Sequence, residues 1–122
     1  MKLKFANNII INYLYYNENE EYYNGSARRM IQFNCDPSVM SVDELNKLLS
    51  NEENIKQLIL SYPDSDITYE IYDGYSLKLK CGIERILIAQ ETPESPAVYE
   101  DQLVFKLGKR TYIEEQLHKM GL

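Results

Sequence analysis

The side chains most able to do chemistry in this chain are a single histidine, two cysteines and many carboxylates. A nucleophile needs a neighbouring base to activate it, and the commonest base is histidine. His118 falls in the last turn of a predicted C-terminal helix, where a polar or positive side chain suits the helix dipole. We interpret His118 as a helix-surface residue, and we predict no catalytic residue.

The spacing of the possible metal ligands indicates no metal site. Cys35 and Cys81 lack a CxxC spacing, and one histidine leaves too few ligands for zinc. We interpret both cysteines as buried thiols, with a Cys35–Cys81 disulfide as the alternative that a reducing cytoplasm disfavours. Asp64, Asp66 and Asp73 lack the glycine and the terminal glutamate of an EF-hand calcium loop, so turn formation explains them better.

Nucleotide cofactors and nucleic acids are also poorly matched by this sequence. The five glycines are isolated from one another, which excludes a glycine-rich phosphate-binding loop at the level of sequence. We predict no cofactor and no enzyme; a site of unfamiliar type is the alternative, because a pocket need not carry a motif. The net charge of −6 and only two basic dipeptides, Arg28-Arg29 and Lys109-Arg110, argue against nucleic acid as the main partner.

Tyrosine is the residue type that no catalytic or metal chemistry explains. The sequence has 11 tyrosines and no tryptophan. Tyrosine is enriched where proteins meet, which favours a contact surface, but it is also a strand former whose ring packs at the edge of a core. Both interpretations stay open from the sequence. The predicted contact residues are Tyr13, Tyr15, Tyr16, Tyr22, Tyr23, Arg28 and Arg29.

The elements that must position these residues begin with strands. Residues 2–5 and 26–35 alternate between apolar and polar side chains, as a strand with one buried face does. Residues 9–16 form a predicted strand that is apolar on both faces, so it is either covered on both sides or presents one face to another molecule. The acidic residues 17–21 are predicted to be a solvated loop.

The second half of the chain also predicts strands. Residues 67–81 are typical of a hairpin closed by Asp73-Gly74, after a turn at residues 62–66 and before a bulge at Gly82. Residues 90–102 are a predicted loop stiffened by two prolines. A last strand over residues 102–108 should carry three side chains inward, Leu103, Phe105 and Leu107.

Two helices carry strong start signals. Ser41 followed by Glu44 forms a predicted capping box, and Thr111 followed by Glu114 forms a second. Ser50 and Glu53 repeat the pattern and predict one further turn. The expected buried stripe of the central helix is Leu45, Leu48 and Leu49, and that of the C-terminal helix is Ile113, Leu117 and Met120, before a stop at Gly121.

These elements predict one domain over residues 1–122. The expected fold class is α+β: a predominantly antiparallel β-sheet, as a sandwich or a partly open barrel, with one short central helix and a C-terminal helix. The apolar runs are too short to cross a bilayer, and no signal-peptide core is present, so we expect a protein that is cytoplasmic when synthesised and has no membrane partner.

The order of the sequence phrases adds a resemblance. The stretches "YYNGSARRMIQF", "SVDELNKLLSNEENIKQLIL", "YDGYSLKLK" and "ETPESPAVYEDQLVFKLGKRTYIEEQL" together resemble small uncharacterised proteins encoded in phages and prophages of Firmicutes, associated with tails or baseplates. The resemblance spans nearly the whole chain and brings no active-site residues. It implies a β-rich module that docks through unpaired strand edges and tyrosine faces, and that resides in the virion.

We therefore expect a non-enzymatic structural or interaction protein, an accessory or connector component of a phage tail or baseplate. Its expected partners are copies of itself, as a homo-oligomer, or other virion proteins. The alternative is a small adaptor or regulatory module that recognises a host protein or an extended peptide by strand addition. A discrete oligomer would favour the first function, and a monomer with one free edge would favour the second.

Overall fold

The computed structural model describes residues 1–61 and 69–121, and that part of the chain forms eight strands and three helices. In chain order they are β1 (Lys2–Phe5), β2 (Ile10–Asn12), β3 (Tyr15–Tyr23), β4 (Ser26–Cys35), α1 (Val42–Ser50), α2 (Glu52–Ile55), β5 (Gln57–Ser61), β6 (Tyr69–Asp73), β7 (Leu77–Ala89), β8 (Val98–Gly108) and α3 (Tyr112–Lys119). The first sheet has the order β2-β1-β5-β6, and the second sheet has the order β3-β4-β8-β7. All adjacent pairs are antiparallel.

The core lies between the facing sides of the two sheets. Phe5 and Leu60 of the first sheet share one buried cluster with Phe33 of the second, and the rings of Phe5 and Phe105 lie 6.2 Å apart. The predicted α+β, predominantly antiparallel fold class is confirmed, in its sandwich form and not as a closed barrel. The inward side chains predicted for the last strand are fully buried: Leu103, Phe105 and Leu107.

Both predicted helix starts are confirmed. The Ser41 hydroxyl accepts a hydrogen bond from the Glu44 N–H at 3.1 Å, and Thr111 and Glu114 form a complete capping box. The short helix α2 does form, but its N-cap is Asn51 and not Ser50. The predicted stripe of α1 is buried, at Leu45, Leu48 and Leu49.

The predicted strand over residues 9–16 is instead two strands in different sheets. The chain leaves the first sheet after Asn12 and enters the second at Tyr15. The apolar side chains of residues 9–16 therefore belong to two different sheets, which explains why the segment is apolar on both sides. Neither strand is central, because β2 and β3 are both edge strands. The predicted loop at residues 17–21 is also wrong, because these residues pair with β4 in the middle of β3.

The predicted hairpin at Asp73-Gly74 does not form. β6 pairs with β5 in the first sheet, whereas β7 pairs with β8 in the second. Gly74, with φ of 82°, lies at the point where the chain passes between the sheets, a conformation that glycine adopts without strain. The turn predicted at residues 62–66 lies outside the described residues.

The longest hairpin of the described chain is β7–β8. The predicted loop over residues 90–102 is shorter, because β8 begins at Val98. The register of this hairpin shifts between Lys78 and Lys80 and between Leu87 and Ala89, so the irregularities flank Gly82 and are not located at it. β7 is consequently bent at two places along its length.

Candidate interaction surfaces

The second sheet has an inner face toward the first sheet and an outer face on the opposite side, and the predicted contact residues divide between them. Tyr13, which precedes the sheet, and Tyr16 pack into the core: the Tyr13 ring lies 5.5 Å from that of Phe33, and the Tyr16 ring lies 5.9 Å from it. Tyr13 is only 3% exposed. This corrects the predicted contact surface, because Tyr13 stabilises the fold and is not available to a partner.

Tyr15 faces the outer side, where its hydroxyl belongs to a buried amide network. The hydroxyl accepts a hydrogen bond from the Asn34 side-chain amide at 2.9 Å and donates one to Gln102 Oε1 at 3.2 Å. Asn34 also donates to Gln102 Oε1 at 2.9 Å, and it accepts from Gln32 at 3.1 Å. The ring of Tyr15 remains exposed, so this residue combines a structural hydroxyl with an accessible apolar surface.

Tyr22 and Tyr23 lie at the tip of the β3–β4 hairpin. Asn24 and Gly25 follow them with φ values of 51° and 77°, which is the two-residue geometry that a type I′ turn requires. The dipeptide Asn24-Gly25 is the sequence signal from which this hairpin could have been predicted. Tyr22 is 81% exposed, so the tip presents an aromatic side chain to solvent.

The two neighbouring arginines have different environments. Arg28 is buried on the outer face, where it contacts Glu114 Oε1 at 2.6 Å and the Tyr23 carbonyl oxygen at 2.9 Å. Arg28 is therefore not the contact residue that was predicted, because its side chain is buried and holds α3 against the sheet through Glu114. Arg29 is exposed and forms an ion pair with Glu18.

Glu18 also accepts a hydrogen bond from the Tyr75 hydroxyl at 2.8 Å. Burial, followed by the hydrogen bond to Glu18, raises the pKa of Tyr75 to about 12, so the hydroxyl keeps its proton at neutral pH. The Tyr75 hydroxyl donates to the Glu18 carboxylate, which is also paired with Arg29. These contacts link β3, β4 and the segment that leads into β7. We interpret this group as structural.

The C-terminal helix α3 is attached by polar contacts and not by an apolar stripe. Ile113 and Met120 are about 70% exposed, and Leu117 is also exposed, so the predicted burial of these three residues is wrong. Two contacts attach the helix: Glu114 with Arg28, and His118 with Glu52 at 2.8 Å. No local sequence pattern indicates these contacts, because each partner lies more than sixty residues away along the chain.

We expect α3 to detach from the sheet in acid. Arg28 holds the pKa of Glu114 below its ordinary value of 4.5, and Arg110, followed by a weaker effect of His118, does the same for Glu52. A lowered folded-state pKa gives stability that is present above the ordinary value and lost as the pH falls through the folded-state value. Amide chemical shifts of α3 should therefore move toward random-coil values below about pH 4, while those of α1, packed by leucines, stay constant. Equal loss of both helices would contradict this assignment.

The far end of the β7–β8 hairpin extends beyond its neighbours and forms an arm, residues 83–101. The last residue of β4, Cys35, pairs with Leu103, so only β7 and β8 continue past that level. The Arg85 guanidinium lies over the Tyr99 ring at 4.6 Å, and Arg85 is opposite Asp101. Five large apolar side chains of the arm are exposed: Ile83, Leu87, Ile88, Val98 and Tyr99.

An isolated two-stranded hairpin is marginally stable in water, and this one exposes an apolar surface instead of covering it. Exposed apolar side chains clustered on a protein surface are a common feature of sites that contact another molecule. The sequence signal for the arm was the run "RILIA" together with the later segment "AVYEDQLVF", of which residues 97–102 were predicted to belong to a loop. The arm is therefore a candidate contact surface in the described part of the chain.

A shallow cavity of about 270 Å³ opens on the outer face beside β3. Tyr23, Met30 and Leu79 form its apolar lining, and the ion pair between Glu21 and Lys106 lies at its polar side. No catalytic pair of nucleophile and base lines it. An apolar side chain of an extended segment would fit a cavity of this kind next to a strand edge.

Cys35 and Cys81 are free thiols, and Cys35 is buried as predicted, whereas Cys81 is only half-buried and not buried as predicted. Burial raises the pKa of the Cys35 thiol to about 12, so almost no thiolate exists at neutral pH. We expect Cys35 to react with a disulfide reagent at pH 8 only as fast as the protein unfolds. Comparing the native rate for a Cys81→Ser variant with the rate in denaturant would check this, and rapid native labelling would contradict it.

Among residues 1–61 and 69–121, no group of three or more histidine, cysteine or carboxylate side chains is placed to hold a metal ion. No helix in those ranges is long and apolar enough to span a membrane. No protein-family model matches the sequence, and no curated protein or solved structure matches the chain. The features of the described chain that indicate a function are thus the arm, the strand edges and the exposed tyrosines at the tip of β3–β4.

Proposed function

We propose that this protein is a non-enzymatic assembly component, whose arm, strand edges and exposed tyrosines bind copies of itself or other proteins of a phage or prophage tail or baseplate. The observation that carries the proposal is the arm. The arm has two strands, extends beyond the rest of the second sheet and exposes large apolar side chains that are not part of the buried core. The resemblance of the sequence to phage tail-associated proteins supports the particle in which it would act.

The exposed tyrosines extend this surface. Tyr22 and Tyr23 lie at the tip of β3–β4, at the other end of the second sheet from the arm, while Tyr15 lies at the start of β3. Rigid aromatic side chains contribute contact area at low entropic cost, which suits an interface. This surface does not include Tyr13 and Tyr16, whose rings pack in the core. It also does not include Arg28, whose side chain is buried against α3.

The test of the proposal is the mass of the protein in solution as a function of concentration. Light scattering over a roughly hundredfold range should show self-association, and Ile88→Lys on the arm should weaken it by roughly tenfold or more, because a charge would be buried at the contact. Ile113→Lys on α3 is the matched control and should behave as wild type. A monomer at every concentration would reject self-assembly.

A second function is favoured by a separate observation, the free edge of β3 next to the outer-face cavity. A monomeric adaptor would bind an extended peptide along that edge and place one side chain in the cavity. In that case Met30→Trp, which fills the cavity, should weaken peptide binding, whereas Ile88→Lys should leave peptide binding unchanged. The opposite pattern would favour assembly through the arm.

A further inference from the structure

The two outer strands of the second sheet are open edges in the described part of the chain. The strand order is β3-β4-β8-β7, and no strand in residues 1–61 and 69–121 pairs with the outer side of β3 or of β7. Since all three adjacent pairs are antiparallel, β3 and β7 run in opposite directions. A second copy placed beside the first in the same orientation would therefore bring its β3 antiparallel to β7.

The two edges carry opposite charge. β3 contains three glutamates, Glu18, Glu20 and Glu21, and no basic residue. β7 contains Lys78, Lys80 and Arg85 against one acidic residue, Glu84. Within the chain, Glu18 and Glu21 are ion-paired with Arg29 and Lys106, and Lys80 is ion-paired with Glu84. The charges that the two edges offer to a neighbour are therefore Glu20 on β3 and Arg85 on β7. Opposite charges across a strand pair are stabilising and like charges are destabilising, so β7 suits β3 of another copy better than either strand suits itself.

The edges also differ in how they are protected. Charged side chains on an edge strand discourage the addition of further strands, and the glutamates give β3 that protection against all but a basic strand. β7 is longer, lacks proline, and continues into the arm, where Ile83, Leu87 and Ile88 are exposed. Lys78 contacts Asn46 and Ser50 of α1, so the open part of β7 starts beyond it.

We infer that the second sheet continues from one copy to the next, with the open part of β7 pairing with β3 of a neighbour in the same orientation. This inference rests on the proposed function, and it specifies the partner as a second copy and the contact as heterologous. A heterologous contact closes into a ring when the rotation per copy permits it and otherwise forms an open filament. A symmetric dimer through β7 alone is the competing arrangement.

Two charge reversals test this arrangement. Glu20 and Arg85 lie on the same face of the sheet by the register of their strands. Glu20→Lys puts a positive charge at this position on both edges, and Arg85→Glu puts a negative charge on both, so each variant alone should lose self-association by roughly tenfold, because an attractive cross-strand pair becomes repulsive. An equimolar mixture of the two variants should restore assembly at a one-to-one ratio. Glu53→Lys and Lys119→Glu, which place the same changes in charge on α2 and α3, are the matched controls and should assemble as wild type.

Three results would overturn the inference. Wild-type mass for Glu20→Lys alone would show that β3 is not part of the contact and would favour a symmetric β7 dimer. Failure of the mixture to assemble, with both variants folded by circular dichroism, would exclude pairing between β3 and β7. In both cases a wild-type oligomer that Ile88→Lys still disrupts would leave the proposed assembly function standing. A wild type that stays monomeric would reject head-to-tail assembly together with self-assembly.

Discussion

Replacing Phe33 with alanine should destabilise the protein by about 3–5 kcal/mol, the range for deleting a large aromatic side chain from a packed core. Phe33 is fully buried, and its ring contacts three others, with centroid distances of 5.5 Å to Tyr13, 5.9 Å to Tyr16 and 5.1 Å to Phe105. Because Phe33 lies on β4, between β3 and β8 in the second sheet, and faces the core, the cavity left behind cannot be filled without moving both sheets.

Chemical denaturation followed by circular dichroism measures this loss. The matched control is Tyr22→Ala, which removes an aromatic ring from the exposed hairpin tip and should change the free energy of unfolding by no more than about 0.5 kcal/mol. A similar cost for the two variants would mean that Tyr22 is not the exposed residue that the contact surface requires. A small cost for Phe33→Ala would contradict the position of the core.

Replacing Asn34 with leucine should cost about 1–3 kcal/mol, for a reason that differs from loss of packing. Asn34 donates to both Tyr15 and Gln102, and Gln102 is itself buried. Removing the amide takes one of two donors from Gln102 Oε1, which keeps the Tyr15 hydroxyl, and takes the acceptor from the Gln32 side-chain amide. Polar groups that lose hydrogen-bond partners away from water carry a desolvation cost.

The double variant Asn34→Leu, Gln102→Leu separates this cause from simple loss of a contact. Removing both partners together should recover part of the stability, since neither polar group is then left unsatisfied. Asn19→Leu, at an exposed position of β3, is the control and should be nearly neutral. The contrary outcome is that the double variant loses more free energy of unfolding than the two single variants together. That result would show that the network stabilises the sheet by more than the hydrogen bond between Asn34 and Gln102.

The elements that the sequence predicted well are those fixed by neighbours in the chain. Ser41 and Glu44 lie within one helical turn, and so do Thr111 and Glu114, so their capping boxes need no tertiary information. The alternation in β4 likewise follows from one strand facing one core. The fold class followed from these local patterns and from the number of strands.

The predictions that failed were those that depended on distant partners. Asp73-Gly74 is a good local hairpin signal, but β6 and β7 each find a better partner in a different sheet. Residues 17–21 are acidic enough to be a loop, yet Arg29 and Lys106 supply counter-charges that let them form an edge strand. The exposed stripe of α3 and the arm were missed for the same reason, because apolar spacing indicates a face but not whether anything covers it.

The strand order of the second sheet has a consequence for biosynthesis. Its centre pairs β4 with β8, two strands separated by more than half of the chain, so this pairing cannot form until β8 has been synthesised. Folds dominated by such long-range pairing fold slowly, on the order of milliseconds to seconds. During that interval the apolar residues of β4 and its unpaired edge are exposed, and such surfaces are prone to aggregation.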